Sequence, residues 1–150
     1  MKKIVFVDQT SNTLDLALLV ARVGIASLML THGLPKMAML FSGNPVQFLP
    51  VLGMSPEVSL ALTVFAEVFC SILILVGAGT RLAAIPSIIT MLVAALVVHG
   101  ADPFAKKEMA LLFLLGYVVL LIAGSGKYSV DYLLQRRLFT PSPVRISKLR

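Results

Sequence analysis

Six residues capable of chemistry interrupt or flank otherwise apolar runs: Arg22, His32, Lys36, Glu67, His99 and Glu108. A charge inside a bilayer is costly, so each needs a partner or a task. His32 and Lys36 stand four apart on one helical face, and Met29, Ala26 and Arg22 continue that face downward. Thr63, Glu67 and Ser71 form a second polar stripe at the same spacing. By span counting, His32, Lys36, His99 and Glu108 fall together at the outer end. Arg22 lies eight residues from Leu14 and Glu67 eleven from Ala78. At 1.5 Å per residue these are depths of about 12 and about 16 Å from the inner end. Arg22 and Glu67 are therefore expected to form a buried ion pair, which either fixes helix register or serves in binding and proton movement.

Three chemistries suit the outer set. Histidine and lysine can donate to a polar headgroup such as a quinone carbonyl while the tail lies between helices. His32, His99 and Glu108 would make a two-histidine, one-carboxylate metal site. His32 and His99 could instead flank a haem in a four-helix frame. A plainer role competes with all three, that of interfacial anchors and helix caps. The headgroup reading gives a ligand-binding set of His32, Lys36, Glu67, His99, Glu108 and Arg22, with no catalytic residue assigned and quinone as the ligand implied. No phosphate loop, Ser-His-Asp arrangement or zinc motif is present, and Cys70 is the only cysteine, so no intrachain disulfide can form.

The elements that must position these residues are apolar helices. Hydrophobic residues make up 58% of the 150-residue chain and charged ones only 13%. A soluble domain is nearer half apolar and a quarter charged. The pattern lacks the period-two alternation of a barrel. Four stretches stand out: Leu14–Leu34, Val58–Ala78, Leu82–Val98 and Met109–Ala123. A span needs about 17–25 residues, and the fourth, with 15, is extended by the flanking Lys107 and Ser125. The expected fold is an all-α membrane protein, a bundle of four transmembrane helices with an interfacial segment between helices 1 and 2. That segment, Thr31 to Pro56, is apolar and is expected to hold short helical pieces folded onto the bundle mouth. The domain boundaries drawn are an N-terminal tail over 1–13, a membrane domain over 14–134 and a basic tail over 135–150.

Basic residues orient the bundle. Nine lie on the side of both termini, from Lys2 to Arg150, and three on the other, Lys36, Lys106 and Lys107. Positive charge collects in the cytoplasm, so both termini are expected there. The net charge of +6 reads as topology signal and lipid-headgroup contact, not as a nucleic-acid surface.

The ordered set resembles the DoxX family. Arg22 and Gly24 in the first helix, His32-Gly33-x-x-Lys36, Ala66-Glu67, Gly77-x-Gly79-Thr80-Arg81, His99-Gly100 and Glu108 carry the resemblance across about Leu14 to Leu134. It implies a multi-pass protein of the bacterial inner membrane with four helices. It also implies a subunit of a membrane oxidoreductase that works with quinones, partnered by lipids, redox proteins or further copies of itself. The family is similar to a eukaryotic secretory cargo receptor, so a non-catalytic scaffold or carrier stands as the alternative. Whether the chain is itself an enzyme is left open, since no self-sufficient catalytic motif occurs.

Overall fold

A computed structural model of the chain describes residues 12–139, and these form five helices: α1 (Asn12–Leu40), α2 (Pro56–Val76), α3 (Thr80–Val98), α4 (Phe104–Ala123) and α5 (Val130–Phe139). No strand occurs among the described residues. The expected tails, 1–13 and 135–150, fall largely outside them.

Three helices, α1, α2 and α3, are long and apolar enough to cross a membrane. The expected four-span count is therefore met by three on these terms. Lys106, Lys107 and Glu108 occupy the first turns of α4, which leaves 15 charge-free residues from Met109 to Ala123, fewer than the about 17–25 of a full span. The outward faces are those of a lipid-embedded bundle. Val20, Leu28, Leu62, Ile89, Leu112 and Ile122 all stand more than half exposed, far beyond what a water-facing surface tolerates.

The helix ends follow from local chemistry. Ser55 caps α2, its hydroxyl accepting from the Val58 N–H at 3.3 Å, with Pro56 in the first turn. Gly77 (φ +74°) ends α2, where the N–H of Ala78 reaches back to the Leu73 carbonyl, and Gly79 (φ +60°) opens α3. Two left-handed residues so close together reverse the chain within one turn, which side chains with a Cβ resist.

One stripe of α1 is buried: Asp15, Leu18, Arg22, Ala26, Met29 and Gly33, at the three- and four-residue spacing of a helix face. It packs on a core that includes Cys70, Ile74, Ala83, Ala84, Tyr117 and Leu120. Small residues set the approaches. A Cβ on Gly33 would lie 3.0 Å from the backbone of Glu67, and one on Gly116 would lie 2.6 Å from Ile25. Close approach of this kind drives helix association where lipid gives no hydrophobic push.

Two details differ from expectation. The first helix does not end at Leu34 but continues through Pro35 to Leu40. Proline interrupts a membrane helix less than a soluble one, because neighbouring groups satisfy what it frees. The remaining connection, 41–55, holds no helical pieces. Pro45 and Pro50 cannot donate within a helix, and Leu52 (φ +54°) and Gly53 (φ +75°) are left-handed. The segment does fold back on the bundle: Val46 and Phe48 pack against Leu60, Val64 and Val68, and the buried Val51 donates its N–H to Ser59 Oγ at 3.1 Å.

Candidate functional site

Each of α2 and α3 carries one wide turn of π-helix, Phe65–Phe69 and Ala94–Val98. Such turns insert a residue into the helical register and are frequent at functional sites. Glu67 sits inside the first. The second ends at His99, whose N–H bonds the Ala94 carbonyl at 2.9 Å. Both turns lie beside the same set of polar side chains.

At the centre of that set, Lys36 Nζ donates to both carboxylate oxygens of Glu67, each at 2.6 Å. The Glu67 side chain is 5% exposed and that of Lys36 30%. The pair is thus a buried carboxylate held by an ammonium that still reaches open space. His99 stands nearby, its Nδ1 placed 2.8 Å from Asp102 Oδ2. That hydrogen bond, helped by the charge of Lys106, holds the Asp102 carboxyl below its ordinary range. An Nδ1–H given to a carboxylate leaves Nε2 as the nitrogen available to a ligand.

Two cavities meet at this group. The larger, about 380 Å³, runs between α2, α3 and the 48–54 segment, with Leu62, Ile89, Val93 and Val98 among its apolar walls. The smaller, about 170 Å³, lies between α1, α3 and α4 and includes His32, Met91, Met109 and Phe113. Lys36, Glu67, Ala94 and His99 line both. His32 meets Phe113 edge-on, with ring centroids 5.8 Å apart.

Of the six residues expected at the site, four come together: His32, Lys36, Glu67 and His99. Glu108 is exposed on α4 and lines neither cavity. The metal set His32, His99 and Glu108 is therefore not assembled, and no group of three or more His, Cys, Asp or Glu side chains is poised for a metal among the described residues. His32 and His99 share only the smaller chamber, of about 170 Å³, in which no further histidine stands.

Arg22 is at the other end of the bundle, and the expected Arg22–Glu67 pair does not form. The Arg22 guanidinium donates to the carbonyls of Ser125 (2.8 Å) and Tyr128 (2.6 Å), and it fills the space a Cβ on Gly77 would take. Arg22 is thus level with Gly77, and Gly33 with Glu67. Counting depth from Leu14 failed because α1 overhangs α2 by about one third of its length. The overhang is covered by the chain after α4. Asp15 accepts from the Lys127 N–H at 3.0 Å and pairs with its ammonium at 3.1 Å. Asp131 accepts from the N–H of Gly79 at 2.7 Å. Asp15, Asp102, Phe113 and Asp131 were not legible as site or clasp residues, because their partners lie on other elements or, for Asp102, depend on where α3 stops.

The DoxX family model matches residues 17–100 of this chain. No curated protein and no solved structure matches it.

Proposed function

The chain belongs to the DoxX family, and on that footing we propose that this membrane protein binds a quinone or similar lipophilic small molecule and supports a membrane redox complex. One observation carries the reading: an apolar cavity of about 380 Å³ whose polar end is built from Lys36, Glu67 and His99. The volume falls in the roughly 300–1,000 Å³ range of small-molecule sites, and a few convergent polar groups on an apolar wall are their usual design. Lys36 would donate to a ring carbonyl oxygen, His99 Nε2 would bond the second oxygen or its hydroxyl, and Glu67 would exchange a proton with the headgroup. Electrons would come from or go to a partner protein, because this chain carries a single buried cysteine, Cys70.

The reading extends to topology. The α4 helix would complete a fourth crossing by tilt and snorkelling of Lys106 and Lys107. Both termini would then face the cytoplasm of a bacterial inner membrane, with the cavity at the outer side. The alternative, a non-catalytic scaffold or carrier, would use the same pocket without electron transfer.

Equilibrium retention of tritiated decylbenzoquinone by the purified protein tests the site. The wild type should hold the probe, and His99→Leu should weaken it about tenfold, the loss of one good hydrogen bond at about 1.4 kcal/mol. Retention unaltered in both His99→Leu and Lys36→Met refutes the site. Reduction of the retained probe in native membranes separates the redox subunit from the carrier.

A further inference from the structure

A third cavity, about 340 Å³, opens between α1 and α4 and is lined by Ile25, Leu28, His32, Met109, Leu112 and Phe113. Its floor is the tight contact of Ile25 with Gly116. Above that contact the helices part, and Leu28 and Leu112, 60% and 63% exposed, form the outer rims. Five of the six lining residues are apolar. The sixth, His32, is exposed and stands beside the Phe113 ring.

His32, Met109 and Phe113 also line the small polar chamber. The chamber therefore has an apolar compartment on each side: the larger cavity beyond Lys36, Glu67 and His99, and this groove beyond His32. Among the described residues no protein hydrogen bond engages the His32 ring nitrogens. The His32 side chain is exposed at the groove, and a lipid acyl chain seated there would leave its ring nitrogens unengaged. A flat ring bearing a carbonyl or hydroxyl would bond the imidazole and lie along Phe113.

We propose that the groove between α1 and α4 is a second binding site for a ring-headed lipophile, so that two such molecules point their headgroups into one polar chamber. This rests on the reading of the larger cavity as a quinone-class site. His32 is the headgroup partner of the second molecule, and Lys36 with His99 that of the first. The chamber, at about 170 Å³, is large enough for polar headgroup atoms to approach one another and too small for a whole ring from both sides. The two molecules would thus be neighbours in the chamber while their tails leave by opposite faces of the bundle.

Stoichiometry decides the matter. The wild-type protein in phosphatidylcholine nanodiscs should bind two equivalents of tritiated decylbenzoquinone at saturation. Leu112→Trp fills the groove and should reduce this to one, and His32→Leu should weaken one of the two equivalents about tenfold. Leu115→Trp, which adds the same bulk to α4 away from every cavity described, should keep two. His99→Leu in the Leu112→Trp background should then weaken the remaining equivalent. One equivalent in the wild type, sensitive to His99→Leu and indifferent to Leu112→Trp, overturns the second site and leaves the first standing. No retained probe at all overturns both. Phospholipid that co-purifies with the wild type and is lost in Leu112→Trp, with probe binding unchanged, makes the groove an acyl-chain site and overturns the proposal.

Discussion

Gly33 of α1 lies directly against Glu67 of α2: a Cβ on the glycine would stand 3.0 Å from the glutamate's own Cβ and from its carbonyl carbon. This contact sets the register that brings Lys36, one turn further along α1, onto the Glu67 carboxylate. A Gly33→Ala change must push the two backbones apart, because only the Val68 methyl nearby can yield. Overpacking of this kind costs about 1–3 kcal/mol. We expect a lower melting temperature in detergent and, in the same variant, weaker probe retention, since the Lys36–Glu67 pair would lose its alignment. Unchanged stability would mean the helices are not as close as they stand here.

Removing one partner of the ion pair should be worse than removing both. Lys36→Met leaves a carboxylate that is 5% exposed without a counter-charge, a loss of about 3–5 kcal/mol. The double change Lys36→Met with Glu67→Leu should recover much of it. A thermal-unfolding double-mutant cycle reads the coupling. Strictly additive losses would show that the pair is not coupled in the membrane protein.

Arg22 should act as the fastener of the segment after α4. Its two donors satisfy the carbonyls of Ser125 and Tyr128, and a lysine in its place has no planar fork to reach both. Arg22→Lys and Arg22→Leu should therefore both expose the segment, read as faster tryptic cleavage at Lys127 in purified protein. Cleavage at the wild-type rate in Arg22→Leu would remove the clasp.

The proposed topology rests on the nine-to-three division of basic residues. A reporter fused at Arg150 should show cytoplasmic activity and one inserted at Asn44 periplasmic activity. The reverse result would invert the bundle and put the cavity on the cytoplasmic side.

Much of the fold was readable because lipid imposes long apolar runs: all four form helices in the structure, and three of those helices are long and apolar enough to cross a membrane. The convergence of His32, Lys36 and His99 was readable too, since span counting assigns all three to one end. What counting missed was relative height. It assumed that α1 and α2 begin level, whereas α1 starts far below Gly77, and that single error paired Glu67 with Arg22 instead of Lys36. The π-turns at Phe65–Phe69 and Ala94–Val98 left no sequence signal, because they are a backbone response to packing. Glu108 was grouped with the mouth by its height alone, and helix height says nothing about which way a side chain faces.

The overhang of α1 has a bearing on how the protein is made. Arg22 enters the membrane system with the first helix, but the carbonyls it binds, those of Ser125 and Tyr128, come more than a hundred residues later. At about 5–20 residues per second of synthesis, Arg22 waits roughly 5–20 s before those carbonyls exist. The first helix is thus finished by a segment made near the end of the described chain, and the earlier helices are inserted while this contact is still unformed. A truncated chain ending at Gly124 should accordingly be more protease-sensitive near Arg22 than the full chain, so that the N-terminal end of the first helix is completed only once the C-terminal segment has been released to reach it.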